Sequence, residues 1–212
     1  MTTEAIPETD RATRRSLRSS NSSSRVLLTA IRSVVLFTVV LGIVYPLVVF
    51  GIGRLMPNKA DGSMVHNSAG QVVGSSLIGQ AVDKPGFFFP RPSAAGDEPG
   101  YDAMSSGASN ISPADQKYRA DIAQLREKIA TREGVSVERV PVDAITSSGS
   151  GLDPQISRAY ADLQVNRVAK ERGVPVERVR GLVEEHTHTS FNGAADGKPV
   201  NVVELNEALT RI

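Results

Sequence analysis

The hydrophobic pattern divides the chain into one long apolar run near the N-terminus and a mixed region of shorter periodic segments. Ser33–Gly53 carries no charged side chain over 21 positions, and Arg32 and Arg54 border it. At a rise of 1.5 Å per residue, a helix of this length spans roughly 31 Å, close to the hydrocarbon thickness of a bilayer. The pattern therefore predicts a helix that crosses a membrane.

Pro46 lies inside this predicted helix, next to Tyr45. Proline frees a backbone carbonyl and kinks a helix, and membrane helices tolerate it where neighbouring groups satisfy that carbonyl. Two interpretations stay open. Tyr45 and Pro46 pack against a partner helix, or the proline faces lipid.

A β-hairpin and a long irregular segment are predicted after the run. Ser63–His66 and Gln71–Gly74 flank the turn-forming residues Asn67–Gly70. Residues 83–110 are rich in Gly, Pro, Ser and Ala, and a segment of this kind is usually either functional or disordered. Phe87–Phe89 favours order, since three aromatic side chains are costly to leave in water, and the default expectation is a place in the core.

Helical periodicity and capping residues predict three further helices. They cover Pro113–Glu133 with Ser112 as the N-cap and Gly134 as the stop, a segment from Asp153-Pro154 to Gly173, and Val176–His186. The apolar faces are Tyr118, Ile122, Leu125 and Ile129 on the first helix, Ile156, Tyr160, Leu163 and Val168 on the second, and Val179, Leu182 and Val183 on the third. The β-branched segment Val200–Leu205 predicts a final strand, with Asn206–Thr210 as a short helical end. The predicted fold class is α+β, with a single N-terminal transmembrane helix followed by one extracytoplasmic domain that holds a small β-sheet and about three helices.

The basic residues predict how the helix is oriented. The arginines before the run are Arg11, Arg14, Arg15, Arg18, Arg25 and Arg32, whereas only Arg54 and Lys59 follow it closely. Because positive residues stay on the cytoplasmic side, the N-terminus is predicted in the cytoplasm and the rest of the chain outside it. A cleaved signal peptide is the competing hypothesis, but no small-x-small cleavage site follows the run. The predicted domains are a disordered cytoplasmic tail over 1–30, a transmembrane helix over 31–54 and an extracytoplasmic domain over 55–212.

Composition and motifs exclude several classes of function. Beyond the run, acidic and basic residues nearly balance, so the domain has no basic field for nucleic acid. The absence of cysteine excludes disulfides, thiol catalysis, cysteine-ligated metals and a lipoprotein anchor. No phosphate-binding loop and no Asp-Lys-Thr-Gly-Thr sequence occurs. Gly149-Ser150-Gly151 does not match a nucleophile elbow and predicts a turn, while Asp153 is interpreted as a helix cap rather than a catalytic acid. No catalytic residue is predicted.

His186 and His188 form the one close histidine pair, with Glu184 and Glu185 beside them. On a helix the two imidazoles point about 200° apart, whereas on a strand they would share a face, and the local pattern is that of a helix end. A histidine near a helix C-terminus is explained by the helix dipole. No metal site is therefore predicted here.

Seven stretches of the sequence resemble stretches of one family of membrane proteins, and they occur in the same order along the chain. They are Val73–Gln80, Phe88–Gly96, Tyr101–Ala103, Ser106–Asn110, Ser148–Pro154 with Ile156-Ser157, Gln164–Ala169 and Pro199–Asn206. Together with the apolar run, they resemble the C subunit of the Kdp potassium-transporting ATPase over about residues 30–212. Two departures restrict the backbone of a loop, because the family usually has glycine where Ala108 and Ser112 stand.

The resemblance implies a non-catalytic subunit of an ATP-driven potassium importer in the inner membrane. Its partners there would be a channel-like potassium-translocating subunit, a P-type subunit that hydrolyses ATP, a small single-span subunit and the lipid bilayer. The family's C subunit is described as an assembly factor and as a catalytic chaperone that raises the ATP affinity of the hydrolysing subunit. No firmly bound cofactor is implied, although ATP could be met in a transient complex, and a glutamine that corresponds to Gln164 is linked to nucleotide contact.

The predicted topology conflicts with a direct nucleotide contact, because it places Gln164 outside the cytoplasm, where ATP is scarce. An indirect effect requires only that two states of the pump bind this subunit differently. The topology favours that route, with Gln164 as an ordinary polar position on its helix. A different class of function also stays open, a membrane-anchored binding or sensor module that acts without a pump. An anchored hydrolase has no nucleophile constellation to support it.

Overall fold

The computed structural model of the chain describes residues 8–187 and 198–212. The chain divides into two units, which in the described residues cover 8–60 and 61–212. The first holds the apolar run, and the second holds nearly all of the buried core.

The first unit is an almost continuous helix. Helix α1 covers Glu8–Val39, a π-helical turn covers Val40–Val44, α2 covers Tyr45–Arg54, and a short α3 covers Pro57–Ala60. Within it, Ser23–Arg54 is long and apolar enough to cross a membrane, and none of its most apolar window is buried within the chain. This agrees with a single-pass anchor.

Helix α1 overlaps residues 1–30, for which composition predicts a disordered cytoplasmic tail. Helix α1 already begins at Glu8. A helix that has a nucleus extends at little cost, because each added residue brings one backbone hydrogen bond, and the apolar run supplies such a nucleus. Residues 1–7 of the predicted tail lie outside the described residues.

The π-helical turn stands directly before Pro46 and has a local cause. The Tyr45 N–H donates to the Val40 carbonyl, five residues earlier, rather than to the residue four positions earlier. Pro46 has no N–H to donate, and its ring would crowd the carbonyl of Gly42 in a regular α-helix. One extra residue in the turn relieves that crowding while the helix continues.

The second unit opens with the predicted hairpin. Strand β1, Met64–His66, pairs antiparallel with β2, Val72–Ser75, and an irregularity lies between Val65 and His66. The turn is closed by Asn67, whose Oδ1 accepts hydrogen bonds from the backbone N–H of Ala69 and of Gln71. The hairpin prediction is confirmed.

Three helices follow, close to the predicted positions. They are α4, Gln116–Glu133, α5, Arg158–Arg172, and α6, Val176–Glu185, and short 3-10 turns cover Val137–Arg139 and Val142–Ala144. Gly134 and Gly173 both adopt the left-handed conformation at the C-caps of α4 and α5, as predicted.

Both predicted N-caps are wrong. Helix α4 is capped by Asp115, which accepts from the Tyr118 N–H, and Ser112 lies in the turn before it. Helix α5 is capped by Ser157 rather than Asp153, because the intervening residues Gln155–Ile156 form strand β3. Asp153 accepts from the Gln155 N–H and closes the turn that leads into this strand.

The predicted C-terminal strand is also mostly wrong. Only Val200–Asn201 is extended, as β4 paired antiparallel with β3, and helix α7 covers Val202–Leu209. The Asn201 side chain accepts hydrogen bonds from the backbone N–H of Val203 and Glu204, and this cap starts the helix where β-branched residues predicted a strand.

The fold class is α+β, as predicted. The described part of residues 55–212 contains five α-helices, against the three predicted, and two separate two-stranded sheets. The core gathers apolar side chains of α4–α7 with Phe88, and its largest fully buried members include Tyr160, Leu205 and Leu209. The predicted inward faces of α5 and α6 are confirmed, since Tyr160, Leu163, Val168, Val179, Leu182 and Val183 are all buried.

Candidate functional site

The segment Pro85–Phe89 lies against α5 and α7 and is held by many side-chain hydrogen bonds. It has no strand partner, yet side chains satisfy all five of its carbonyl groups. The pairs are Pro85 and Phe87 with Arg167, Gly86 with Arg172, Phe88 with Asn206, and Phe89 with Gln164. Because a buried carbonyl without a partner is costly, this arrangement allows an irregular segment to enter the core.

Two amide side chains give this segment its two-point contacts. The Gln164 Oε1 accepts from the Phe89 N–H at 2.7 Å, and its Nε2 donates to the Phe89 carbonyl at 3.1 Å. The Asn206 Oδ1 likewise accepts from the Phe88 N–H at 2.8 Å, and its Nδ2 donates to the Phe88 carbonyl at 3.0 Å. Gln164 is fully buried, with an exposed fraction of 0%.

A buried ionic cluster supports the segment from α4 and α5. The Arg167 Nε donates to both carboxylate oxygens of Glu133, at 3.1 and 3.0 Å, and its Nη2 donates to the Gln164 Oε1 at 2.8 Å. The Glu133 carboxylate also accepts from the Arg132 Nε at 2.6 Å. Burial lowers the pKa of Arg167 from its ordinary value, and the Glu133 carboxylate opposes that effect. Glu133 therefore compensates the cost of placing a guanidinium group in the interior.

The phenylalanine rings are contacted by guanidinium groups. Arg132 and Arg167 lie over the Phe89 ring, with 4.1 and 4.6 Å from Cζ to the ring centroid, and Arg172 lies over the Phe87 ring at 4.6 Å. Only Phe88 is fully buried, while Phe87 and Phe89 are half-buried. The expectation that this aromatic cluster belongs to the core thus holds fully for its central member, and cation–π contacts cover the other two.

The irregular segment continues from Arg91 in an ordered path fixed by long-range contacts. Arg91 donates to the carbonyls of Thr146 and Ser147 and forms an ion pair with Asp153 at 3.4 Å. The Tyr101 hydroxyl donates to the Arg91 carbonyl at 2.8 Å. Burial, followed by the nearby Asp153 carboxylate, raises the pKa of Tyr101 well above its ordinary value. Asp153 therefore anchors this segment through its ion pair with Arg91.

A cleft of about 310 Å³ opens beside Phe89 and is lined by both Arg91 and Arg132 and by the rings of Tyr101 and Tyr160. Both arginines of its lining already have partners, while Glu98 also lines it. Arg91 is bonded as described, and the Arg132 Nη2 donates to the Tyr160 hydroxyl at 3.2 Å. The two arginine side chains of the cleft are thus engaged by the chain itself.

The structure brings none of the other candidate residues into a site. His186 follows α6, where its Nδ1 lies 2.9 Å from the Leu182 carbonyl, and His188 lies outside the described residues. Across residues 8–187 and 198–212, no group of three or more acidic or histidine side chains could hold a metal ion. Sequence reasoning missed Arg167, Glu133 and Asn206. For Arg167 and Glu133 the sequence did contain a signal, since each is a charged residue at a position that the helical periodicity places on the inward face.

Comparison with known proteins gives one consistent result. The family model described as "KdpC: K+-transporting ATPase, c chain" matches residues 27–211. A "Potassium-transporting ATPase KdpC subunit" of Mycobacterium bovis is 43% identical over 190 residues, which cover 89% of this chain and 99% of that protein. Proteins of the same name from Kineococcus radiotolerans and Caulobacter vibrioides are 48% and 45% identical, over 80% and 85% of this chain and 85% and 90% of their own lengths.

Proposed function

Since the chain belongs to the KdpC family of K+-transporting ATPase c chains, we propose that it assembles and stabilises an ATP-driven potassium import complex. It is an accessory subunit and not the catalytic chain. Its partners in this proposal are a channel-like potassium-translocating subunit, a P-type subunit that hydrolyses ATP and a small single-span subunit.

The observation that carries this proposal is the exposed apolar helix. Side chains over the whole of residues 26–52 stay largely uncovered by the chain itself, with Phe37 and Phe50 60% and 66% exposed. Such a surface is stable only in lipid or against other membrane helices. The π-helical turn before Pro46 marks a place where a neighbouring helix can pack, because turns of this kind often mark functional contacts in helices.

The proposal places the helix in the inner membrane with its N-terminus in the cytoplasm. Six arginines precede the apolar run, and two basic residues follow it closely, which is the asymmetry that sets orientation. Residues 61–212 then lie outside the cytoplasm, and the anchor clamps the channel-like subunit while the second unit covers its outer mouth.

The proposal also includes a higher ATP affinity of the hydrolysing subunit, reached by an indirect route. Support for the indirect route comes from the burial of Gln164, whose oxygen and nitrogen are both engaged by Phe89. A nucleotide would have to displace the Pro85–Phe89 segment to reach this amide. Coupling needs only two states of the pump that bind the subunit with different affinity.

The test is co-purification from membranes that contain the whole complex. A tagged full-length chain is expected to retain both large subunits in mild detergent, and a chain that ends at residue 54 is expected to retain the channel-like subunit more weakly. Purification of the full-length chain alone, with potassium uptake unchanged in its absence, would overturn the proposal in favour of a stand-alone anchored module.

A further inference from the structure

The β1–β2 hairpin exposes apolar side chains on the face that points away from α7. On its inner face, Val65 is paired with Gly74, and a Cβ placed at Gly74 would lie 3.3 Å from the Val203 side chain of α7. Alternation along β1 therefore puts Met64 and His66 on the outer face, and Val72 shares that face because it pairs with His66 across the irregularity in the ladder. Met64 and Val72 are 43% and 57% exposed.

The turn after β2 carries two further exposed apolar side chains. Leu77 is 61% exposed and Ile78 is 39% exposed, and the backbone that carries them is fixed. The Ser76 N–H donates to the Ser63 carbonyl, and the Ser76 carbonyl accepts from Asn201 Nδ2 at 2.7 Å. The side chain of Leu77 is thus held outward by an ordered backbone. We refer to Met64, Val72, Leu77 and Ile78 as the hairpin surface.

The hairpin surface lies in the longest charge-free stretch of the second unit. Gly62–Val82 has no Asp, Glu, Lys or Arg in 21 positions, and Asp61 and Asp83 border it. Depletion of charge together with exposed large apolar side chains distinguishes the core of a protein–protein interface from ordinary surface. A two-stranded hairpin is also marginally stable by itself, so a partner that covers its outer face adds stability.

Either a lipid bilayer or another protein could cover this stretch, and its composition distinguishes between the two. Segments that lie on a bilayer combine Lys or Arg with Trp, Tyr or Phe at the interface. Gly62–Val82 contains none of these five residue types. Its lack of charge instead complements a protein surface that is itself uncharged and apolar.

From these observations we infer that the hairpin surface docks on an uncharged, apolar surface of a membrane-embedded subunit of the same complex. The inference rests on the proposed function, because it requires other subunits. The charge-free stretch begins eight residues after Arg54, so only a short length of chain connects it to the apolar helix on which a partner subunit packs.

Site-specific cross-linking in the assembled complex tests the inference, and the natural lack of cysteine makes each introduced thiol unique. The variants are Val72→Cys and Leu77→Cys, each labelled with a maleimide photo-cross-linker in membranes. Glu177→Cys, an exposed position on α6, is the matched control. We expect adducts with a large subunit from Val72→Cys and Leu77→Cys and few or none from Glu177→Cys. Adducts with lipid alone, or equal yields from all three variants, would overturn the inference.

A charge variant gives an independent readout. Leu77→Asp changes an exposed position, so the isolated chain is expected to keep its helical circular dichroism and melting temperature. Its retention of the large subunits should fall by about tenfold or more, since a buried unpaired charge weakens an interface strongly. If the wild-type chain retains the subunits and Leu77→Asp retains them equally well, only this inference fails. If the wild-type chain retains none, the proposed function fails.

Discussion

The side chains of Gln164 and Asn206 hold two consecutive residues by matching pairs of hydrogen bonds. Gln164 on α5 accepts from and donates to the backbone of Phe89, and Asn206 on α7 does the same to Phe88. Each amide thereby replaces the neighbouring strand that would satisfy these groups in a sheet. The two helices are joined through one irregular segment, and the two amides have equivalent roles in holding its backbone, although Gln164 alone also accepts from the Arg167 Nη2.

Replacing either amide with leucine should destabilise the second unit, and Gln164→Leu should cost at least as much as Asn206→Leu because it also removes the acceptor of the Arg167 Nη2. Gln164→Leu and Asn206→Leu each leave a buried N–H and carbonyl unpaired, and each unpaired group costs about 1–3 kcal/mol, so a loss of about 3 kcal/mol is expected. Urea unfolding of the full-length chain in detergent, followed by circular dichroism, measures this. Asn166→Leu, at an exposed position of the same helix α5, is the control and should change the free energy of unfolding little. A small effect of Gln164→Leu beside a large one of Asn206→Leu would contradict the equivalence.

The same two variants separate a direct from an indirect effect on ATP affinity. If Gln164 acts through the Pro85–Phe89 segment, both variants should raise the KM for ATP of the assembled complex to a similar degree. The physical reason is that both loosen the same joint, which changes how well the subunit stabilises one state of the pump. Potassium-stimulated ATPase activity at varied ATP concentration measures this. A raised KM in Gln164→Leu with an unchanged KM in Asn206→Leu would instead support direct nucleotide contact.

The sequence correctly predicted those turns and helix ends that neighbouring residues determine. The hairpin was marked by Asn67–Gly70, and the ends of α4 and α5 were marked by glycines that adopt the left-handed conformation. The start of α5 could not be predicted in this way, because Asp153 and Ser157 are both good caps. The choice between them depends on the pairing of Gln155–Ile156 with Val200–Asn201, which are remote in sequence.

The candidate site was even harder to predict from the sequence, because contacts between distant residues form it. Gln164 was singled out by resemblance to a family, but its contact with Phe89 spans 75 positions, and that of Asn206 with Phe88 spans 118. Periodicity places Arg167 and Glu133 at inward helical positions, but it cannot show that the two side chains pair with each other across 34 positions of sequence. Only the folded structure shows that these polar residues replace a missing strand.

The Tyr101 hydroxyl should make the stability of the second unit sensitive to alkaline pH. Because its pKa is raised in the folded state, the folded chain keeps this proton at a pH where the unfolded chain, with a pKa of about 10, loses it. The stabilisation is therefore fully present below about pH 10 and is lost as the pH rises further. Tyr101→Phe should be less stable by about 1 kcal/mol at pH 7, through loss of one hydrogen bond, and should decline less steeply above pH 10. Urea unfolding at pH 8, 9.5 and 10.5 checks this, and parallel pH profiles would contradict it.

Gly151 should not tolerate a side chain, whereas Gly149 two residues earlier should. Gly151 has φ +69°, and a Cβ there would lie 2.7 Å from the Gly107 carbonyl oxygen and 2.8 Å from the backbone nitrogen of Ala95. Both contacts are with backbone, so relief requires the loops to separate. Gly151→Ala is expected to lose about 2–4 kcal/mol through strain and overpacking. At Gly149 nothing lies within 4 Å of the added Cβ, so Gly149→Ala is the matched control. Comparable losses in the two variants, measured by urea unfolding, would contradict this account of the turn.

The orientation of the apolar helix should be readable from thiol labelling, because the chain has no cysteine of its own. Ser68→Cys lies in the exposed hairpin turn, and Ser16→Cys lies among the arginines that precede the apolar run. Inverting the helix would carry six arginines rather than two basic residues across the membrane, so the arginine-rich end is expected inside. A membrane-impermeant maleimide should therefore label Ser68→Cys in intact cells and Ser16→Cys only after lysis. The reverse pattern would place Gln164 on the side where ATP is abundant. Its burial against Phe89 would then be the remaining argument for an indirect effect on nucleotide affinity.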